Sequence, residues 1–426
     1  MPGGWAYCTR PMDYLSRIAD AELAELLGAT GATLVEGPKA SGKTATAMQT
    51  ARSAVMLDVD DNALRLIGAD PEALLIGDTP RLIDEWQLEP AIWNYVRRAV
   101  DRRAAPGQFI LTGSAVPADE ITRHTGAGRF ARLRMRPMSL FETGHSTGEI
   151  SLNRLLDGCE QRAERSDLPI LSVAELVCAG GWPANIGKAL PQTLRANRAY
   201  LDEIRRTDVS TVSGGTRDPV KVGRLLRSLA RNIATPVSMS KLTAEAGDHS
   251  VTLKADTVAG YLDALDRLMV VENQPAWSPH LRSRTTLREA PVRHFVDPSL
   301  AVAALRATPE RLTADLEYLG LLFESMVVRD LRVYAQAADA QVFHYREKEG
   351  LEVDAVVEAA DGRWAAFEIK LGERWVDDGA RNLRRLARRM EHSDHERPSV
   401  LAVIVPSGYG TSGGDVGMIP VGALGP

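Results

Sequence analysis

Apolar and polar positions along the chain change period three times. Residues 13–30 repeat apolar side chains at Leu15, Ile18, Leu23, Leu26 and Leu27, the spacing of one helical face. Short apolar runs then alternate with helical stretches: TLVEG (33–37), AVMLDVD (54–60), PRLIDEW (80–86) and QFILTGS (108–114). That alternation predicts a parallel α/β sheet. From about 137 to 235 the texture turns helical, and 222–272 reads as three helices separated by turns. Strands return at 341–348, 351–359 and 364–371, followed by a helix over 377–391 and a last strand at 399–406. The Gly/Ser-rich stretch 213–219 reads as a linker. Neither an internal repeat nor a low-complexity tract interrupts the pattern.

Composition narrows the class. A chain of 426 residues is long enough for about three domains. Its 44% apolar and 25% charged content is that of a soluble globular protein. The net charge of -5 argues against a polycation as a whole, and leaves local basic faces open. With 5% aromatics a broad base-stacking surface is not expected. The cysteines, Cys8, Cys159 and Cys178, have no zinc or disulfide spacing. With no cleavable apolar leader and no membrane-length apolar run, the expectation is a cytoplasmic protein. Its Ala, Arg, Asp and Gly content is that of a high-GC bacterial proteome.

The chemistry begins at Gly37-Pro38-Lys39-Ala40-Ser41-Gly42-Lys43-Thr44, a full G-x-x-x-x-G-K-T loop between a predicted strand and a predicted helix. Glycines let backbone N–H groups wrap phosphates, Lys43 neutralises their charge, and the Thr44 hydroxyl is a Mg²⁺ ligand. Asp84 and Glu85 end an apolar strand some forty residues later. Asp84 suits the Mg²⁺ shell, and Glu85 suits the base that deprotonates water. Ser114 closes the next strand, ILTGS, either facing the γ-phosphate or starting an ST-turn. Arginines recur in GRFARLRMRP as Arg129, Arg132, Arg134 and Arg136. Arg129 is the expected γ-phosphate sensor, in its own subunit or a neighbour's. The alternative is a surface ion-pair strip.

This series of GPKASGKT, LDVDD, ADPEALL, LIDEWQ, GQFILTGSA and GRFARLRMRPMSLFE resembles bacterial and archaeal ATP-binding proteins with an AAA-type domain. It continues through GLLFESMVVRDL, HYREKEGLEVDAVVE and FEIKLG, so the resemblance spans nearly the whole chain. It implies an AAA-type P-loop ATPase domain (1–145), a helical connection (146–215), a winged-helix-like domain (216–305) and a C-terminal α/β domain similar to PD-(D/E)XK nucleases (306–426).

The residues of the later segments are less decisive. The third helix of the winged-helix stretch carries Asp256, Asp263 and Asp266 against Lys254 and Arg267, a poor match to phosphate. Asp354, Glu368 and Lys370 form a D…ExK arrangement, with Glu368 and Lys370 on one strand face. The two carboxylates are the expected ligands of a divalent cation, with Glu324 completing the site. Arg381, Arg384, Arg385, Arg388 and Arg389 follow at helical spacing and are candidates to meet phosphates. An inert ion pair is the alternative. ATP and Mg²⁺ are the expected cofactors. The function expected is an ATPase acting on or near DNA, and the alternative a nucleotide-switched module that binds a protein. Partners other than nucleotide are DNA, a second copy of the chain or another protein.

Overall fold

The structure, a computed structural model, describes residues 14–114, 126–213, 218–247, 254–278, 291–347, 350–391 and 396–426. Most of the expected linker, residues 214–217, and Cys8 lie outside them. The chain forms two compact units, one ending at Arg136 and taking in Arg267–Met269, the other holding Pro137–Asp266 and Val270–Pro426.

The first unit alternates strand and helix: α1 (Ala19–Ala29), β1 (Ala32–Glu36), α2 (Lys43–Thr50), β2 (Ser53–Met56), α3 (Asp61–Ala69), β3 (Arg81–Asp84), α4 (Ile92–Arg103), β4 (Phe109–Gly113) and β5 (Phe130–Arg134). All five strands are parallel, in the order β2-β3-β4-β1-β5. Because strand side chains alternate, each face builds its own core. Leu34, Ile83 and Leu111 pack on one side with Trp86, Trp93 and Val96. Val35, Leu82, Ile110 and Leu133 pack on the other with Leu23 and Leu27 of α1. Each fully buried aliphatic side chain contributes about 1.5–3 kcal/mol. Since β4 lies between β1 and β3, its end is brought between the phosphate loop and the acidic pair.

The helix expected over 13–30 begins only at Ala19. The residues just before it, from Tyr14, are spent on contacts described below.

The second unit opens with β6 (Ile150–Ser151), α5 (Leu152–Leu156), β7 (Arg162–Ser166), α6 (Ile170–Ala179), α7 (Leu190–Glu203) and α8 (Val209–Ser213). A π-helical turn, Ile204–Asp208, joins the last two. The span expected as a helical connection therefore contains two strands. Next come α9 (Pro219–Arg231), β8 (Thr235–Pro236), α10 (Met239–Ala246), α11 (Ala255–Arg267), β9 (Val271–Gln274) and β10 (Val292–Phe295). The three strands form an antiparallel sheet in the order β8-β10-β9.

The rest comprises α12 (Ser299–Leu305), α13 (Pro309–Thr313), α14 (Leu316–Ala337), β11 (Ala340–Arg346), β12 (Glu352–Ala359), β13 (Trp364–Ile369), α15 (Val376–Glu391), β14 (Val400–Val405), β15 (Gly408–Thr411), β16 (Gly417–Pro420) and β17 (Leu424–Gly425). A seven-stranded sheet runs β11-β12-β13-β14-β16-β15-β7, and β17 pairs with β6. Its core includes Val353, Trp364, Leu383, Leu386 and Val403, with α15 presenting Leu383 and Leu386 to it. Among the described residues no helix is long and apolar enough to cross a membrane.

Candidate functional site

The phosphate loop leaves β1 at Glu36 and enters α2 at Lys43. Gly37 is obligatory there, because an added Cβ would stand 2.3 Å from the Met135 carbonyl oxygen. Gly42 has φ +96°, a left-handed value open to glycine at little cost, and caps α2. Inside the loop the Ser41 hydroxyl is buried and makes no hydrogen bond. A buried polar atom in that condition costs about 1–3 kcal/mol, and a phosphate oxygen is a fitting partner. Lys43 is 5% exposed, and its ammonium donates to the Pro38 carbonyl at 2.9 Å. Burial pulls its pKa down to about 8, against the opposing pull of Glu85 and Asp84.

Asp84 is reached from two sides. Thr44 Oγ1 donates to its Oδ1 at 2.8 Å, and Thr112 Oγ1 makes a second, short bond to the same oxygen. Burial raises the Asp84 pKa, and the two hydroxyl bonds oppose that rise. Thr44 and Asp84, expected in one Mg²⁺ shell, are thus adjacent. A Mg²⁺ ion that keeps most of its waters needs little more protein than this.

Glu85 stands at φ +54°, a left-handed value for a non-glycine residue. Its N–H donates to Thr112 Oγ1 at 3.2 Å. Its Oε2 accepts from Ser114 Oγ at 3.3 Å and from the Gln87 amide. The backbone turn sends Asp84 toward Thr44 while Glu85 is held by Gln87 and Ser114. Backbone strain of this kind costs of order 1–3 kcal/mol and collects at functional positions.

Thr112 was expected only as one of the hydroxyls ending its strand, and Arg17 was not singled out from sequence. Thr112 has no motif of its own, and only the strand order places it between Asp84 and Glu85. Arg17 donates from Nη1 to the Ser41 carbonyl at 2.8 Å and from Nη2 to the Arg136 carbonyl at 2.7 Å. It is 7% exposed. Asp20 accepts from the Arg17 N–H at 2.8 Å and from the Tyr14 hydroxyl at 2.5 Å, and that hydroxyl also meets Thr46 Oγ1 at 2.9 Å.

Arg129 is placed differently from expectation. It precedes β5, whose Phe130 pairs with Ala32 at the start of β1, whereas the phosphate loop follows the end of β1. Strands rise about 3.3 Å per residue, so the sheet's length separates Arg129 from its own loop. Its Nε pairs with Asp101 Oδ1 at 2.9 Å, on the surface. Arg132 pairs with Glu36 at 2.7 Å, and Arg134 stands opposite Glu36 in the register. Of this series, Arg134 and Arg136 are the ones toward the loop end.

In the second unit β12 and β13 are neighbours, and they bring Asp354, Glu368 and Lys370 together. The Lys370 ammonium contacts Asp354 Oδ2 at 3.0 Å and makes a short contact with Glu368 Oε2. Asp354 Oδ2 also accepts the Ile369 N–H at 2.7 Å, and Glu368 Oε1 accepts from Asn382 at 3.2 Å. Burial, then the Asp354 charge, pushes the Glu368 pKa up to about 8. Burial also holds the Glu324 carboxyl well above its usual range, with Asp354 and Glu368 adding to it. The Lys370 pKa is raised, since the two carboxylates outweigh burial. Lys370 stands between Asp354 and Glu368, the place expected for a divalent cation. Among the described residues no cluster of three or more His, Cys, Asp or Glu side chains is disposed to hold a metal ion. Three of the α15 arginines serve as local ion pairs: Arg381 with Asp378, Arg384 with Asp415, and Arg389 with Glu347.

Three families match successive parts of the chain: an AAA domain over residues 29–144, a domain of unknown function (DUF8612) over 170–311, and another (DUF4143) over 319–424. Relatives include the uncharacterized proteins Mb2031c of Mycobacterium bovis and Rv2008c of Mycobacterium tuberculosis. Each is 26% identical over 363 residues, covering 83% of this chain and 73% of its own. Among solved structures, the Walker-type ATPase PABY2304 of Pyrococcus abyssi is 14% identical. That likeness covers 70% of this chain and 97% of that one, with a TM-score of 0.42. A Thermotoga maritima RuvB variant is 16% identical, covering 60% and 89%, with a TM-score of 0.26. Neither overlap is close enough to carry an argument. The AAA-domain match supports an AAA-type P-loop ATPase over the first unit.

Proposed function

We propose that the first unit binds ATP with Mg²⁺ and hydrolyses it. The observation that carries this is the convergence of the buried Ser41 hydroxyl, Lys43, Thr44, Asp84 and Glu85 at one end of a parallel sheet. Loop N–H groups, Ser41 and Lys43 hold the phosphates, and the α2 N-terminus adds a favourable dipole. Thr44 and Asp84 hold the Mg²⁺ shell, and the ion supplies neutralisation of charge on the phosphate oxygens. Glu85 takes the proton of the attacking water. The water oxygen bonds to the γ-phosphorus, the bridging P–O bond breaks, and ADP leaves with the electron pair. Ser114 and Gln87 hold the Glu85 carboxylate through Oε2 until it is released to the water. Phosphate release by wild type against Lys43→Ala tests the reading. Equal rates would remove it.

The second unit is read as a winged-helix-like part and a nuclease-like part. The order α9-β8-α10-α11-β9-β10 supports the first, and α14-β11-β12-β13-α15-β14 with Asp354, Glu368 and Lys370 supports the second. Because Lys370 stands between the carboxylates, the nuclease-like part is proposed to act without cutting. DNA, a protein or a second copy of the chain is its proposed partner.

One observation favours the slower, switch-like alternative. Glu85 must leave Gln87 and Ser114 before it meets water, so turnover waits on that release. DNA-stimulated turnover favours work on nucleic acid. Slow turnover indifferent to DNA favours the switch.

A further inference from the structure

Apart from the ATP site, the second unit holds a cavity of about 740 Å³ whose charged lining is almost wholly arginine. Arg198, Arg205, Arg227, Arg231, Arg306 and Arg311 border it, and Asp202 is the one carboxylate among the lining residues. The spacing explains the convergence. Arg198 and Arg205 lie seven apart along α7 and its π-turn, and Arg227 and Arg231 lie four apart on α9, so each pair shares a helix face. Gly223 of α9 has no side chain, and a Cβ added there would lie 3.5 Å from Arg205 Nη1, so the guanidinium rests beside the helix backbone. Arg306 closes α12 in a left-handed conformation, and its carbonyl accepts from Arg311 at 3.3 Å.

Arg205 pairs with Asp202 at 2.7 Å. Among the described residues the other five arginines have no carboxylate partner. Guanidinium groups gathered without acids repel one another, and in a chain of net charge -5 that grouping runs against the overall sign. An anion relieves the repulsion, and the planar guanidinium fork matches phosphate oxygens two at a time. The volume is within the range of ligand sites, about 300–1,000 Å³. The apolar lining is aliphatic, Leu201 and Leu226 among it, with no aromatic ring to stack a base. The chemistry therefore selects phosphates rather than bases.

We propose that this cavity binds a run of phosphates, as presented by the backbone of single-stranded nucleic acid or by a free oligophosphate. The proposal is independent of ATP hydrolysis and of the carboxylate–lysine cluster.

The test uses the full chain carrying Lys43→Ala, so that the phosphate loop does not compete, in buffer with EDTA. Probes are a fluorescein-labelled single-stranded oligonucleotide of about 16 nucleotides, followed by anisotropy, and sodium tripolyphosphate, followed by thermal shift and by competition. Binding should weaken at least about tenfold in Arg227→Glu/Arg231→Glu, and the salt dependence of log Kd should flatten by about two units. Arg195→Glu, on α7 outside the cavity lining, should change affinity less than about twofold. A second variant, Arg198→Gln, guards against a folding defect from charge reversal and should also weaken binding. Both probes binding and competing assigns nucleic-acid backbone. Tripolyphosphate binding alone, lost in the same variants, assigns a free oligophosphate. Absence of binding by either probe, or losses no greater than those of Arg195→Glu, would overturn the proposal.

Discussion

Arg17 grips the phosphate loop from outside: its guanidinium donates to the Ser41 carbonyl at 2.8 Å from a position 24 residues upstream. That bond leaves the Ser41 hydroxyl and the loop N–H groups turned to their own work. Arg17→Ala should release the loop and leave the buried Ser41 carbonyl and the half-buried Arg136 carbonyl short of a donor. A charged hydrogen bond of this kind is worth about 1.5–3 kcal/mol. ATP affinity should fall roughly tenfold or more while Lys43 and Thr44 stay in place, measured by calorimetry beside a melting curve. Unaltered affinity would show that the loop keeps its shape unaided.

Lys43 sets a pH dependence. Its folded-state pKa is lowered to about 8, below the ordinary 10.5. The unfolded chain then holds that proton to higher pH than the native one, so this residue makes stability rise between about pH 8 and 10.5. Phosphate binding runs the other way, because it needs the ammonium. Nucleotide affinity should be level below about pH 7 and decline above 8, with proton uptake on binding that grows in the same window. Calorimetry in two buffers of different ionisation heat reads that uptake, and a flat profile to pH 10 would contradict the assignment.

Thr112 and Glu85 separate binding from turnover. Glu85→Gln should slow ATP turnover by roughly 10²-fold with little change in affinity. Thr112→Val keeps the shape but removes the hydroxyl that bonds Asp84 and accepts the Glu85 N–H. It should therefore lower kcat and raise KM together. Steady-state kinetics on both variants distinguishes the roles.

Much of this was legible in residues. The G-x-x-x-x-G-K-T loop and the strand ending in Asp84-Glu85 are local patterns whose chemistry depends on residue type, and the structure brings them together. Thr112 was legible only as one of the hydroxyls ending its strand and Arg17 not at all, because their work depends on strand order and on a tertiary contact. Arg129 stands away from its own loop, which residue type could not tell: an arginine-rich strand is the same string whichever end meets the loop, and only the parallel pairing with β1 decides that. The connection at 146–215 read as helical because β6 has two residues and β7, Arg162–Ser166, is polar and largely exposed, so neither shows an apolar period.

Lys370 is the counter-charge of its cluster, and its removal should reveal what it suppresses. Lys370→Met leaves Asp354 and Glu368 together without a cation. The expected cost is about 3–5 kcal/mol, as for a buried pair stripped of one partner. Mn²⁺ should leave the wild-type melting temperature unchanged and restore part of the loss in Lys370→Met. Equal stabilisation of both proteins by Mn²⁺ would mean that Lys370 yields its place readily.

The edge strand β7 has a consequence for how the chain is made and cut. Gln161 bonds Ser412 across 251 residues of sequence, and β7 completes the sheet that β15 would otherwise end. During synthesis this pairing waits until the chain through residue 412 has left the ribosome, a long loop closure that slows assembly. A fragment starting near 306 would expose β15 as a bare sheet edge, open to pairing between molecules. The dissection point lies ahead of residue 150, and fragments that begin there should stay in solution where shorter ones aggregate.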